Sequence, residues 1–170
     1  MKQLFTLIFL ALAMVSTRPA FAQNQNRPTA QKADVVSTPN ERQLEKLGLK
    51  DARLKEIRTG IWAVSQGNKK KGFVLNSAEF SKEVVGYHGN TPLLVYIDGS
   101  KKVASLLSLR NRETPSYYNR AETLLKNWKG KSVKEAKKAR VDAVSGATYS
   151  SDAIIQNVKA TLEAYNKYCK

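Results

Sequence analysis

A long amphipathic helix is predicted at the C-terminal end of the sequence, and it constrains the fold more than any other feature. Ser150, Ser151 and Asp152 are typical of a first helical turn. Apolar side chains then recur at helical spacing on one face, namely Ala153, Ile154, Val158, Leu162 and Tyr165. Because a helix with one apolar face must bury that face against another element, this segment predicts a packed domain. Ser145-Gly146-Ala147-Thr148 lies immediately before the helix.

Strand-like patterns upstream supply a surface on which this helix can pack. One hairpin is predicted over residues 61–75, around the polar turn at 66–69. A second is predicted over residues 93–109, where two apolar runs flank Asp98-Gly99. A glycine-flanked loop at 86–90 precedes it. The expected fold class is therefore α+β, a small antiparallel sheet packed with helices, with the C-terminal amphipathic helix following the Ser-Gly-Ala-Thr motif.

Two short helices are predicted before the first hairpin. Thr38, Pro39 and Glu41 have the spacing of a capping box, with Thr38 as the N-cap and Pro39 as the first helical residue. That helix should end near Gly48. A second helix is expected over residues 51–57, again with an acidic residue at its start.

Two more helices are predicted between the second hairpin and the C-terminal helix. Residues 113–114 should be extended because a proline follows them. Ser116 or the residue before it can then cap a helix that runs to about Trp128, and a charged helix is expected over 133–139. Trp62 and Trp128 are expected to be core or half-buried residues.

The first 22 residues have the three parts of a secretory signal peptide. A short basic start precedes an apolar run over residues 4–15, and Ala20-Phe21-Ala22 is a small-x-small cleavage site. The apolar run is shorter than the roughly 20 residues that a membrane span needs. We therefore expect export and cleavage after Ala22, a disordered leader over 23–37, and one domain over 38–170. The localisation expected is periplasmic or extracellular, and soluble after cleavage.

The chain is strongly basic, with 29 basic and 14 acidic side chains. Removing residues 1–22 removes Lys2 and Arg18 and no acid, which leaves 27 against 14, or +13. Because an exported protein meets little nucleic acid, we expect no nucleic-acid partner. Anionic lipid head groups, in a peripheral membrane contact, acidic proteins or phosphorylated ligands remain alternatives to a lysine-rich surface that serves only solubility.

The sequence has one cysteine, Cys169, and so has no internal disulfide. The fold must therefore be held by packing. The thiol is expected to be frayed and without a role, because chain ends are usually loose, although pairing between two chains is the alternative.

The junction before the C-terminal helix has the chemistry of an anion site. Gly146 and Ala147 allow a tight bend and close approach of another molecule. A helix start presents unpaired N–H groups and a positive dipole end, which favour phosphate. The hydroxyls of Ser145 and Thr148 flank the small residues. On the residues alone, the same pattern also fits an ordinary helix cap.

The segment from Asp142 to Thr148 resembles the flavinylation motif of the FMN-binding domain family. That motif reads Asp, two variable residues, Ser or Thr, Gly, Ala and Thr, and every fixed position is present. Glu113-Thr114-Pro115 and the stretch from the 86–90 loop to Asp98-Gly99 also resemble the family, so the resemblance covers about 86–165. The family includes FMN-carrying subunits of the sodium-translocating NADH:quinone oxidoreductase and of the Rnf complex, and small exported flavoproteins.

The resemblance implies FMN joined to Thr148 by a phosphoester bond. A separate magnesium-dependent flavin transferase that uses FAD would attach it, recognising Asp142, Ser145, Gly146 and Ala147. Because the motif has no His or Lys to activate the threonine, the activating group should belong to the transferase. Thr148 is then a modified attachment point, and neither a catalytic residue nor a metal ligand is predicted. Protein from a host without a transferase can lack the flavin.

The resemblance also implies which residues lie beside the flavin ring. Glu113 and Thr114 match the family best, and Tyr87 and His88 are further candidates. His88 is the only histidine, and a solvated loop residue is the simpler interpretation. Two tyrosines follow the Glu-Thr-Pro stretch where the family often has glycine, and they either stack on the flavin or pack in the core: Tyr117 and Tyr118.

The expected function is electron transfer by an exported flavoprotein between a membrane or periplasmic donor and an acceptor. The flavin would supply the redox chemistry, and the protein its attachment and surroundings. A carrier is favoured over a stand-alone enzyme, since no nicotinamide site, haem motif or metal cluster is recognisable. The alternatives are a flavin-binding or redox-sensing module without carrier turnover, and a domain in which the motif only caps a helix.

Overall fold

A five-stranded antiparallel sheet, whose strand order follows the chain, forms the centre of the fold. The computed structural model describes residues 36–169, so the expected signal peptide and nearly all of the expected leader lie outside the described residues. The strands are β1 Arg53–Arg58, β2 Ile61–Gln66, β3 Lys69–Asn76, β4 Leu93–Asp98 and β5 Val103–Ser108. The helices are α1 Glu41–Lys46, α2 Pro115–Glu122, α3 Val133–Lys138 and α4 Thr148–Tyr168, with short 3-10 helices at Ser77–Glu79 and Thr123–Asn127. The predicted α+β class is confirmed.

Both faces of the sheet are buried, because alternate side chains of each strand point to opposite faces. On one face, residues of β2, β3 and β4 pack with α2, α3 and α4, and their buried members include Ile61, Leu75, Val95 and Ile97. On the other, the intervening residues pack with α1 and the segment after it, and include Trp62, Val64, Val74 and Leu94. Helices therefore lie on both sides of the sheet, and the long α4 covers one of them.

The C-terminal helix is confirmed, with its predicted apolar face fully buried. A buried polar network also fixes α4 to the sheet. Asn157 Nδ2 donates to the carbonyl and to the hydroxyl of Thr91 at 3.0 and 3.1 Å, and its Oδ1 accepts from Ser81. Thr91 stands just before β4, so the network sets where α4 lies relative to that strand.

Both predicted hairpins are confirmed. The Asp98 carboxylate holds the second turn, accepting from the backbone N–H groups of Ser100 at 2.8 Å and Lys102 at 3.0 Å. The 86–90 loop is closed by a 2.7 Å hydrogen bond from the Gly86 N–H to the Gly89 carbonyl. This loop leads into β4, as expected.

The first helix begins two residues later than predicted. Its N-cap is Asn40, whose side chain accepts from the Gln43 N–H, while the Gln43 side chain accepts from the Asn40 N–H, each at 2.9 Å. Two overlapping capping boxes are therefore present in the sequence, and the one that starts at Thr38 is not used. The helix ends at Lys46, close to the predicted end near Gly48.

The prediction of a helix over residues 51–57 is wrong. Asp51 has a positive φ of 57° in a turn, and the residues after it form β1, which pairs with β2. Leu, Lys, Glu and Arg are good helix formers, but pairing along a sheet edge overrides so weak a preference. A strand with this many charged side chains is typical of a sheet edge.

The helix after the Glu-Thr-Pro stretch has Thr114 at its N-cap position, not Ser116 or Pro115 as predicted, and the Thr114 side chain makes no capping hydrogen bond. Thr114 is extended and Pro115 is the first helical residue, a position that suits its missing N–H. The helical segment reaches Trp128 as predicted, although its last turns are 3-10. Trp62 and Trp128 are both buried, as expected for core residues.

Cys169 is not a frayed end, which corrects the expectation from its position. Its side chain is only 7% exposed and packs in the core cluster under α4. Burial raises the pKa of the thiol to about 11. In the part of the chain that the structure describes, no helix is long and apolar enough to cross a membrane.

Candidate functional site

The motif loop bends sharply just before α4. The Ala147 N–H bonds back to the Val144 carbonyl at 2.9 Å, and Gly146 between them has a φ of 75°. An L-residue adopts such a φ only with strain, so glycine suits this position. Thr148 is the first residue of α4, and its side chain is exposed.

No side chain caps the start of α4. Its N-cap is Ala147, which has no side-chain acceptor. The helix-cap interpretation of the motif hydroxyls therefore fails for both Ser145 and Thr148. The first N–H groups of a helix need acceptors, and together with the dipole they favour an anion at this end.

Two other side chains hold the motif loop. The hydroxyl of Ser151, which is fully buried, accepts from the Val144 N–H at 3.1 Å. The Arg120 guanidinium, from the end of α2, donates to the Ser145 carbonyl and approaches Gly146. The loop is thus fixed from its own helix and from α2.

Glu113 joins the 86–90 loop to the start of α4. Its buried carboxylate accepts from the backbone N–H groups of Tyr87 at 3.0 Å and His88 at 2.7 Å, and from the Ser150 hydroxyl. Gly86 makes this approach possible, since a Cβ there would lie 2.7 Å from the carboxylate carbon. Charge-assisted bonds of this kind are stronger than neutral ones, so they fix the two segments together.

A cavity of about 300 Å³ opens between these segments. Its walls come from the 86–90 loop, the start of α2 and the start of α4, and its lining residues are Tyr87, Glu113, Thr114, Tyr117, Gly146, Ala147, Thr148, Tyr149 and Ser150. The volume lies at the lower end of the range for small-molecule sites. The rings of Tyr87 and Tyr149 lie 5.9 Å apart, and Tyr87 and Tyr117 are each about half exposed. Flat apolar surface therefore adjoins a phosphate-friendly helix start.

Comparison with known families decides what this arrangement is. Residues 86–163, which extend from the loop at the cavity to near the end of α4, match the FMN-binding domain. This part of the chain is an FMN-binding domain. No curated protein is similar enough to the chain to count as a match.

The FMN-binding domain brings most of the predicted site residues to one cavity. Tyr87, Glu113, Thr114 and the Gly146-Ala147-Thr148 segment all line it. Asp142, Ser145 and His88 are not among its lining residues. The His88 ring is exposed and packs edge-on against Tyr87, at 4.6 Å between ring centroids. The contact of His88 with Glu113 is made by its backbone N–H and not by the ring.

The two tyrosines after the Glu-Thr-Pro stretch have different roles. Tyr117 lines the cavity, whereas Tyr118 is buried and its hydroxyl hydrogen-bonds to Ser108 Oγ at 3.0 Å. Burial raises the pKa of Tyr118 to about 12. The helical period explains the difference, because adjacent residues of a helix point about 100° apart.

Sequence reasoning did not assign the roles of four contributors to the site. Tyr149 lines the cavity, Ser150 holds Glu113, and Ser151 and Arg120 hold the motif loop. Ser150 and Ser151 lie in the predicted first turn of α4, and Tyr149 directly precedes that turn. Arg120 is 25 residues from Ser145 in sequence, and no local pattern links the two.

The residues present fit a bound FMN. An uncapped helix start can accept its phosphate, and Gly146 and Ala147 leave room beside the Thr148 hydroxyl. The tyrosine rings offer apolar contact for a planar ring system. No His or Lys side chain is among the described residues that line the cavity, and the Glu113 oxygens are already held by three donors. A base for Thr148 is therefore lacking at the cavity wall.

Proposed function

We propose that this protein carries FMN on Thr148 through a phosphoester bond and transfers electrons between redox partners. The observation that carries the proposal is an exposed threonine hydroxyl at the uncapped start of α4, at the wall of a cavity in an FMN-binding domain. When bound, FMN supplies one- and two-electron redox chemistry. The chain itself supplies attachment, orientation and an apolar wall.

Attachment needs a second protein. The Thr148 oxygen forms a bond to the phosphorus that becomes the FMN phosphate, the pyrophosphate bond of FAD breaks, and AMP leaves with the threonine proton. A threonine hydroxyl reacts poorly without a base or metal, and the cavity wall offers no free base. The proposal therefore assigns activation to a magnesium-dependent flavin transferase, with Asp142 and Ser145, which are exposed outside the cavity, in the segment that it recognises.

The chain's own residues then hold the group. The start of α4 stabilises the phosphodiester charge, and Arg120 and Ser151 keep the motif loop in place. Thr114, Tyr87 and Tyr117 border the cavity and are exposed, so a ring held there remains accessible to an electron donor or acceptor. Export, with a donor and acceptor in or near a membrane outside the cytoplasm, completes the proposal.

The attachment is tested by intact-mass measurement after co-expression with a flavin transferase. Wild-type protein should gain the mass of one FMN less one water, as a phosphoester requires, and Thr148→Ala should gain none. Thr114→Ala is the matched control, since Thr114 is also exposed and lines the same cavity; it should keep the adduct. An adduct on Thr148→Ala, or none on the wild type, would refute the attachment.

Electron transfer is tested separately with the modified protein. Membrane fractions supplied with a reductant should bleach the flavin absorbance, and an added acceptor should restore it through repeated cycles. A flavin that membranes never reduce would instead support a sensing module. Export is tested by N-terminal sequencing of the exported protein, which should begin at Gln23.

A further inference from the structure

Nine lysines cluster at the end of the molecule that is remote from the cavity. We call this cluster the basic end and define it by Lys69, Lys70, Lys71, Lys101, Lys102, Lys131, Lys134, Lys137 and Lys138. All are exposed except Lys71, which is half-buried. They come from the start of β3, the turn between β4 and β5, and α3 with the residues before it.

Backbone contacts place these segments side by side. The Val133 N–H donates to the Lys101 carbonyl at 2.9 Å, and Lys102 forms a bridge with Ser132. Gly72, at the start of β3, pairs with Asp98 at the end of β4, and the Lys71 carbonyl accepts from the Tyr96 hydroxyl at 2.9 Å. The lysines therefore form one surface.

Little on the basic end neutralises this charge. The carboxylates on the same turns and helix are Asp98 and Glu135, so nine lysines against two carboxylates leave seven net positive charges. Asp98 accepts from turn N–H groups, and Glu135 accepts from the Ser132 N–H and hydroxyl at 2.9 and 2.7 Å. Within residues 36–169, none of these lysines forms a salt bridge. The positive charge of this surface is therefore largely uncompensated within the described residues.

The basic end and the cavity lie at opposite ends of the same elements. The 86–90 loop precedes β4 and Glu113 follows β5, whereas the basic end surrounds the turn that joins these strands. Six residues of strand separate the two ends by roughly 20 Å. Along α4, Thr148 begins the helix, and Asn166, which adjoins Lys134, Lys137 and Lys138, lies 18 residues later, or roughly 27 Å.

We propose that the basic end binds the surface of a membrane rich in anionic phospholipid and leaves the cavity facing away from it. Lysine is depleted at protein interfaces, where arginine and aromatic side chains are enriched, and lysines far outnumber arginines at this end, where Arg53 lies two strands from Lys70. Strongly hydrated ammonium groups spread over turns and a short helix fit a diffuse layer of phosphate head groups better than the core of a protein contact. That a flavin would be accessible in this orientation rests on the proposed function. The membrane contact itself is argued from the lysines alone and does not depend on flavin attachment.

The contact is tested by co-sedimentation with vesicles. Thr148→Ala protein is used beside the wild type, so that the result does not depend on flavin attachment. Both should bind vesicles of phosphatidylcholine mixed with phosphatidylglycerol, and neither should bind phosphatidylcholine alone. Binding should disappear near 1 M salt, where the screening length falls to about 3 Å.

Matched triple variants locate the surface. The first triple variant combines Lys134→Gln, Lys137→Gln and Lys138→Gln. It should weaken partitioning onto anionic vesicles on the order of 10- to 100-fold, because each lysine close to an anionic membrane contributes a similar share of the binding free energy. Lys46→Gln, Lys55→Gln and Lys159→Gln together remove the same charge from exposed positions elsewhere and should have a much smaller effect. Equal loss in both variants, no binding to anionic vesicles, or binding only to an acidic protein would overturn the proposal.

The orientation is tested with flavin-loaded protein on the same vesicles. Acrylamide should quench flavin fluorescence equally well in free and vesicle-bound protein. Strong protection on binding would overturn the orientation while leaving flavin attachment intact. Failure of attachment would appear instead as the missing mass adduct, so the two failures are distinguishable.

Discussion

Glu113 is a buried carboxylate that joins the segments forming the wall of the cavity. Its oxygens accept from two backbone N–H groups of the 86–90 loop and from Ser150 in the first turn of α4. A carboxylate is acceptor-only, and here each bond goes to a segment that forms the cavity wall. The position of Gly86 against this carboxylate is equally constrained, since only a residue without a Cβ leaves it room.

Gly86→Ala should destabilise the fold and displace the part of the cavity wall that Glu113 holds. The new Cβ would lie 2.7–2.8 Å from the Glu113 carboxylate, which cannot move without losing its donors. We expect a loss of about 1–3 kcal/mol in the free energy of unfolding, measured by urea denaturation. Gly99→Ala is the control, because its nearest neighbour is at 3.8 Å, and it should change stability by less than about 0.5 kcal/mol. Equal effects would contradict this account of Gly86.

Two buried acids should make the fold sensitive to alkali. Burial raises the pKa of Cys169 from 9.0 to about 11 and that of Tyr118 from 10.0 to about 12. Well below pH 9 both groups are neutral in the folded and the unfolded chain, so their ionisation does not change the free energy of unfolding. Above it the unfolded chain ionises first, and the free energy of unfolding should fall as pH rises from about 9 towards 12.

Urea titrations at a series of alkaline pH values measure this fall. Cys169→Ala should flatten the slope between pH 9 and about 11, even if its stability at neutral pH is lower. A Cys169→Ala slope that matches the wild type would show that the thiol does not contribute.

Elements with a strong periodic pattern could be predicted from sequence, and those set by partners could not. The apolar stripe of α4 and the Asp-Gly turn between β4 and β5 are local signals, and both predictions are confirmed. Residues 53–58 have no local strand pattern; only pairing with β2 makes them β1. At the α1 start, the prediction of Thr38 as the N-cap is wrong, because the overlapping capping box that begins at Asn40 is the one that forms.

In the candidate site too, local sequence motifs could be recognised, whereas features set by packing between distant elements could not. The motif loop and the Glu-Thr-Pro stretch were identified as sequence motifs, and the fold brings them to one cavity. Arg120 and the separation of Tyr117 from Tyr118 depend on how α2 packs against α4, which no motif encodes. The buried position of Cys169 likewise depends on the packing of α4.

Asn157→Ala should weaken the attachment of α4 to the sheet. The amide donates twice to Thr91 and accepts from Ser81, and all three side chains are buried. Truncation would leave buried polar groups without partners, at a cost of about 2–4 kcal/mol. Gln156→Ala, on the exposed face of the same helix, should be nearly neutral. Thermal unfolding of both variants would measure the difference, and a near-neutral Asn157→Ala would show that the network contributes little.

At the scale of the whole molecule, the sheet joins two parts of the chain with different sequence signals. The family match begins at Gly86, so β1, β2 and β3 lie outside it, yet β3 pairs with β4 inside it. The face under α1 buries Trp62 and Val74 from the first part with Leu94 from the second. Stability of the flavin domain therefore depends on strands that carry no flavin motif.

Added salt should stabilise the protein. Its formal charge is +15, or +13 without residues 1–22, and few salt bridges such as Lys82–Glu79 join its described residues. Screening reduces the resulting self-repulsion, so Tm should rise between low and moderate sodium chloride. The triple glutamine variant at Lys134, Lys137 and Lys138 should show a shallower rise. A Tm that falls with salt in both proteins would contradict this expectation.

The position of α4 also determines when the fold can form. One face of the sheet is covered chiefly by the last residues described, and Ile154, Val158 and Leu162 have no substitute earlier in the chain. During synthesis, β1 to β5 leave the ribosome before that cover exists, so the major core closes only after residues through about 165 have emerged. If the chain is exported unfolded, as the proposed function implies, α4 forms only beyond the membrane, and the proposed attachment of FMN to Thr148 would take place there.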